Sequence, residues 1–231
     1  MLGRFLEIAL VTDRPQAAWE TWQQLGFVPA MAGDIWQHEY GVVCCTGLSL
    51  GWHAAATEPL SLRTVRPNVI ALERELEALG VAVESAQLGP DVFNQLTLRE
   101  PSGMAMQVLE ARSFTPPADV PGRTLLGRFE TLSLPVDDVE TATSFWSALG
   151  YAARETTLPW KDTEIDGLPL AYHTARECPQ PLLVFNRDAQ ELELEPLLAC
   201  GLEPGRKLST LSGANHQMLH SPGDIGLLLL A

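Results

Sequence analysis

The chain opens on a run in which apolar and polar positions alternate. FLEIALVT carries aliphatic and β-branched residues at a period of two and predicts a strand. Asp13 then predicts a helix N-cap, with Gln16 three residues on completing a capping box. Ala18, Trp22 and Leu25 follow at i, i+4 and i+7, one face of a helix, and Gly26 ends it. Further strands are expected at 40–45, 47–53 and 59–66. A second helix at 68–79 shows Leu72, Leu76 and Leu79 on one face, with Gly80 after it. Strands at 93–99 and 104–110 complete the first half.

The same pattern then returns. LGRFLEIALVTDRPQAAWETWQQLG (2–26) and LGRFETLSLPVDDVETATSFWSALG (126–150) match at a constant offset of 124, with identity at ten of 25 positions. Chance would give about one or two. Asp137 and Glu140 repeat the capping box, and Gly150 the helix stop. Trp36 falls on Trp160, GLSLGWH (47–53) on GLPLAYH (167–173), and FNQLTLREPSG (93–103) on ANHQMLHSPGD (214–224). Pro196 predicts that the second helix of this half starts near Glu195. The proline-rich segment SFTPPADVPGRT (113–124) reads as a linker. The expected organisation is therefore a first unit at 1–112, a linker at 113–124 and a second unit at 125–231.

Composition narrows the function classes. A chain of 231 residues with 46% hydrophobic residues can bury a core without staples. The net charge of −14 argues against nucleic acid and anionic membrane surfaces as partners. No apolar stretch approaches the ~20 residues of a membrane span. Glu7 and Asp13 interrupt the N-terminal segment too soon for a signal peptide, so a cytoplasmic location is expected. Cys44, Cys45, Cys178 and Cys200 include an adjacent pair and no CxxC, and are expected to be free, buried thiols. A phosphate loop, GxGxxG and HExxH are all absent, which disfavours nucleotide-dependent enzymes and zincins.

Three features carry a family resemblance. One is the strand, Asp and helix ending in W..LGF or W..LGY (Asp13 to Phe27, Asp137 to Tyr151). The second is LEALGV (76–81) after the fifth strand. The third is the closing EPSGMAMQVLE (100–110). Together they resemble the vicinal oxygen chelate superfamily of glyoxalases, extradiol dioxygenases and bleomycin-resistance proteins. The resemblance implies an α+β fold of tandem βαβββ modules, four in all, forming two eight-stranded cup-shaped half-barrels by internal duplication. In metal-dependent members the ligands come from the first strand of a module, usually His, and from the last, usually Glu. Carried onto this chain, the positions are Glu7, near Ser49, near Ser61 and Gln107 in the first half. In the second they are Thr131, Pro169, about Leu182 and Leu228. The usual histidines are missing, so no cofactor is expected. A divalent metal (Fe, Mn, Ni or Zn) is the alternative if this mapping is displaced.

Several residues carry candidate chemistry. Glu7, on a strand among apolar neighbours, is either a general base whose pKa burial raises or a carboxylate facing solvent or Arg4. Gln107 is either a ligand-orienting amide or an exposed glutamine. His53 and His173 occupy equivalent places, and a structural bond to a turn carbonyl competes with a role in a site. His216 and His220 are four apart, but on an expected strand, and His38 has no evident partner. Trp36, Trp52, Trp160 and Tyr172 either line apolar pockets or fill the core, whereas Trp22 and Trp146 sit on buried helical faces.

The expected function is that of a bleomycin-resistance-like protein. It would bind a small, partly aromatic organic molecule in the first cup through Glu7, Trp36, Trp52, His53 and Gln107. The alternative is a lyase, isomerase or dioxygenase-type enzyme with a rearranged site, Glu7 acting as base or metal ligand and Gln107 orienting substrate. Whether the chain is an enzyme stays open. The second half is read as a buttress or a dimer surface, with a second copy of the chain as candidate partner.

Overall fold

The computed structural model describes residues 1–30, 40–55, 58–111, 119–154, 162–165, 167–188, 193–211, 215–221 and 225–231. The first eight strands are β1 (Arg4–Val11), β2 (Val28–Pro29), β3 (Tyr40–Cys45), β4 (Leu48–His53), β5 (Leu60–Arg66), β6 (Val83–Gln87), β7 (Gln95–Arg99) and β8 (Ala105–Glu110). Helix α1 (Pro15–Gln24) follows β1, and α2 (Val69–Ala78) follows β5. The second series is β9 (Arg128–Val136), β10 (Ala153–Arg154), β11 (Asp162–Ile165), β12 (Leu168–Thr174), β13 (Leu182–Asn186), β14 (Glu203–Pro204), β15 (His216–His220) and β16 (Gly226–Leu230). Its helices are α3 (Val139–Ala148) and α4 (Glu195–Ala199).

Each series forms one eight-stranded sheet, in the orders β2-β3-β4-β1-β5-β8-β7-β6 and β10-β11-β12-β9-β13-β16-β15-β14. The expected α+β architecture of βαβββ modules in two cup-shaped half-barrels is present. Consecutive modules pair: β1 runs antiparallel to β5 at the centre of the first sheet, and β9 to β13 at the centre of the second. One extra residue bulges in the central pair of each sheet, between Phe5 and Glu7 and between Phe129 and Thr131. The repeated LGRF has a physical reason. Gly3 has φ +99°, and a Cβ there would stand 2.3 Å from the Val65 carbonyl oxygen; Gly127, at φ +106°, meets Asn186 in the same way.

The strands separate their residues onto two faces. Ile8, Leu10, Leu50, Trp52, Leu62, Met106 and Val108 pack with Trp22 of α1 and Leu72 and Leu76 of α2. This layer is continuous with Leu132, Leu134, Trp146, Leu183, Phe185 and Leu227 of the second series, so one hydrophobic core serves both sheets. Phe27 and Phe185 meet edge to face at 6.4 Å. Leu125 N–H donates to the Leu25 carbonyl at 2.8 Å, and Leu2 N–H to Tyr151 Oη at 2.8 Å.

Local differences from expectation have local causes. Helix α1 starts at Pro15 behind Arg14, with no side-chain cap, so the Asp13/Gln16 box does not form; proline at the first position has no N–H to satisfy. Asp138 rather than Asp137 caps α3, accepting from Glu140 N–H at 3.0 Å. Asn68 caps α2, accepting from Ala71 N–H at 3.1 Å. Leu79 sits past the end of α2 and is exposed. The four cysteines are free, with Cys200 only half-buried. Among the described residues no helix is long and apolar enough to cross a membrane.

Candidate functional site

The face of the first sheet turned away from the helices lines the cup. One row crosses it at constant depth: Glu7 on β1 pairs with Arg63 on β5, Arg63 with Gln107 on β8, and Gln107 with Thr97 on β7. The fifth-strand place is therefore Arg63, not Ser61. Ser61 pairs with Ala9, two residues along, roughly 7 Å deeper on the same face. The same row in the second cup is Thr131, Val184, Leu228 and Met218, so Val184 replaces the expected Leu182.

Glu7 is the hub of the first row, with its side chain only 2% exposed. Its Oε2 accepts from Tyr40 Oη at 2.6 Å. Its Oε1 lies 3.0 Å from Arg63 Nη1 and 3.1 Å from His53 Nε2. Arg63 Nη1 lies 3.1 Å from the same ring nitrogen, so the Glu7 contact calls for a hydrogen on Nε2 and the Arg63 contact for its lone pair. Burial by itself raises the Glu7 carboxyl. Hydrogen bonds from His53 and Tyr40, with the charge of Arg63 and of His53 when protonated, outweigh burial and hold it below the usual carboxylate range. Glu7 is thus an ionised anchor, neither the base of raised pKa nor the solvent-facing carboxylate that stood as alternatives.

The neighbours are arranged around this anchor. Arg63 Nε–H donates to Gln107 Oε1 at 2.8 Å. The Tyr40 and His53 rings stack with centroids 4.3 Å apart. Burial, reinforced by the Glu7 charge and hydrogen bond, pushes the Tyr40 phenol well up, so it serves as a donor. Cys44 Sγ and Ser49 Oγ lie 3.3 Å apart on β3 and β4. Gly51 is the floor: a Cβ there would stand 2.2 Å from Glu7 Oε2.

Glu7, His53 and Gln107 therefore stand together, joined by Arg63 and Tyr40, which sequence reasoning did not single out. An arginine at the centre of LSLRTVR was the available signal. Trp52 lies on the opposite face, fully buried with its ring 5.9 Å from Trp22, where it fills the core and cannot line the cup. Trp36, Trp160 and His38 lie outside the described residues. His173 does not repeat the role of His53. It is buried, bonded through Nδ1 to Ser133 Oγ at 2.8 Å and through Nε2 to the Cys178 carbonyl at 2.9 Å. Burial is the main cause of its lowered pKa, so it is a neutral structural histidine. Tyr172 is buried in the core.

The second cup is filled. Leu182, Val184, Met218 and Leu228 pack with Cys178, Leu208 and Leu211 in a separate apolar cluster. Leu208 precedes a short 3-10 turn that Leu211 closes, and Leu208 N–H donates to His216 Nε2 at 3.1 Å. His216 and His220 lie on one strand, β15, with His216 buried and His220 exposed.

The residues of the first row do not fit a divalent cation. The guanidinium already spans the space between Glu7 and Gln107. An ion at about 4 Å from it would meet a repulsion of roughly 8 kcal/mol at an effective dielectric near 20. Among the described residues no three His, Cys, Asp or Glu side chains converge.

No protein-family model matches the sequence, and no curated protein matches it. Solved structures do match over nearly its whole length. A catechol 2,3-dioxygenase aligns with 16% identity over 98% of this chain and 92% of its own, at a TM-score of 0.58. The Mn(II)-bound glyoxalase from Novosphingobium aromaticivorans aligns with 13% identity over 98% and 81%, at 0.59. An extradiol ring-cleaving dioxygenase from B. fuscum aligns with 13% identity over 99% and 71%, at 0.63. Identities this low speak to architecture alone: the likeness is one of fold, and it runs through both tandem units.

Proposed function

We propose that the protein binds a small, partly aromatic organic molecule in its first cup, without a metal. The observation that carries this reading is Arg63, whose guanidinium bridges Glu7 and Gln107 where the fold's metal ligands are expected. The cup then offers a fixed cation, an amide and a stacked Tyr40–His53 wall, while the second cup is occupied by its own side chains. Equilibrium dialysis against Mn, Fe, Ni and Zn should give no stoichiometric uptake. A fragment screen followed by NMR should find aromatic ligands that perturb β1, β5 and β8 and remain chemically unchanged after hours. Stoichiometric metal, or turnover of a bound fragment, overturns the reading.

A second reading rests on the Glu7–His53 contact. With a proton on Nε2, directed at Glu7 Oε1, the Nδ1 atom is left as a proton acceptor. On this reading the base for proton abstraction beside a carbonyl is His53, and Glu7 orients it. Exchange of the α-hydrogens of hydroxyacetone in deuterated buffer, lost in His53→Asn, supports it. Exchange no faster than in buffer alone removes it.

A further inference from the structure

The unspent hydrogen-bonding capacity of the row points to the ligand's class, and this inference rests on the cup-binding reading above. The acceptors are largely taken. Glu7 Oε2 accepts from Tyr40, Glu7 Oε1 from Arg63 and His53, and Gln107 Oε1 from Arg63. The donors are not. Arg63 spends Nε on Gln107 and Nη1 on Glu7, with Nη1 also lying 3.1 Å from His53 Nε2. Its Nη2 and the Gln107 Nε2 make no hydrogen bond to a described residue, which leaves four N–H groups. The Arg63 side chain keeps 18% of its surface exposed, enough for Nη2 to be reached from the cup.

We propose that the ligand docks through a carboxylate, received by Arg63 Nη2 and Gln107 Nε2, with an aromatic body against the Tyr40–His53 wall. Two neighbouring NH2 groups, one of them cationic, match two acceptor oxygens carrying one negative charge. An amine or ammonium group finds no comparable partner in the row, because its carboxylate, Glu7, already holds three donors. Arg63 loses none of its existing bonds on binding, so the receptor is already organised.

Sodium benzoate, benzyl alcohol and benzylamine test this on the full-length, 15N-labelled protein, with the Arg63 Nε–H cross-peak assigned through Arg63→Lys. Benzoate should bind at least tenfold more tightly than benzyl alcohol, shift the Arg63 cross-peak, and outcompete benzylamine. Gln107→Leu should weaken benzoate about tenfold more than it weakens benzyl alcohol. If benzyl alcohol or benzylamine binds the cup as tightly as benzoate, or Gln107→Leu leaves benzoate untouched, the carboxylate assignment is wrong while the cup remains a binding site. If none of the three perturbs β1, β5 or β8, both fall. The wild-type Arg63 cross-peak keeps the test decisive should Gln107→Leu fail to fold.

Discussion

Substituting Gly51 by alanine strikes the site at its floor. The new Cβ would stand 2.2 Å from Glu7 Oε2, 2.6 Å from Cδ and 3.0 Å from Oε1. Restoring ordinary contact requires the carboxylate to retreat by about 1 Å. The 2.6 Å bond from Tyr40 then passes beyond hydrogen-bonding range, and the bonds from His53 and Arg63 are distorted. A hydrogen bond to a charged group contributes about 1.5–3 kcal/mol. Losing one and weakening two, offset by about 0.5 kcal/mol from a stiffer unfolded chain, gives an expected destabilisation of about 3 kcal/mol. In a Glu7→Ala background the same Cβ enters vacated space, and only the chain-entropy term remains, so Gly51→Ala should there be neutral or slightly stabilising. Urea denaturation of the four proteins, followed by tryptophan fluorescence, closes the cycle with an expected coupling of about 3 kcal/mol. Equal costs in both backgrounds, within ~0.5 kcal/mol, refute the contact and with it the placement of Glu7 over Gly51.

Glu100 gives a pH signature: it is buried at the β7–β8 hairpin, and burial is the main cause that raises its carboxyl to about 7. A carboxyl raised in the folded state binds its proton more tightly there, so stability is complete below the unfolded value near 4.5 and declines as pH rises through 7. Glu100→Gln should therefore match the wild type at pH 4 and exceed it by about 2–3 kcal/mol at pH 8 in urea melts, and equal pH profiles would contradict the burial. Arg63→His removes the guanidinium and sets a second imidazole beside Glu7 and His53; the variant should take up Zn or Ni in dialysis where the wild type does not, and an empty variant would separate Arg63 from metal exclusion. A fragment ending at residue 112 should give no cooperative thermal transition by circular dichroism, because Leu2, Trp22, Phe27 and Trp52 belong to a core shared with Phe185 and Trp146; a cooperative, reversible melt would show that the first sheet stands alone.

The architecture was legible wherever burial imposed a period. The strand runs of β1, β3, β4, β5, β7 and β8 fall within two residues of their expected bounds, because Ile8, Val43, Leu50, Leu62, Leu98 and Met106 alternate into one core. Strand β6 was not legible: VESAQ is exposed along most of its length, and only pairing with β7 makes it a strand. The two-residue strands β2, β10 and β14 are edge pieces without a period of their own. The site was half legible. Glu7, His53 and Gln107, singled out by analogy and by repetition, do converge, but Arg63 was missed because a register error of two residues keeps the face and changes the depth. Trp52 was misread because alternation assigns a residue to a face without saying which face meets the helices.

The duplication has written two solutions to the same geometric problem into a single chain. Where the first cup sets Glu7, Arg63 and Gln107, the second sets Thr131, Val184 and Leu228 on an equivalent frame, bulge included. Exchanging a buried ionic group for aliphatic side chains of similar size commonly leaves a protein as stable as before or more so, whereas removing one partner alone is costly. The second cup is that exchange carried out in place. The triple replacement Glu7→Thr, Arg63→Val and Gln107→Leu is then the natural blank for every binding experiment on the first cup: a protein with the frame intact and the recognition chemistry removed.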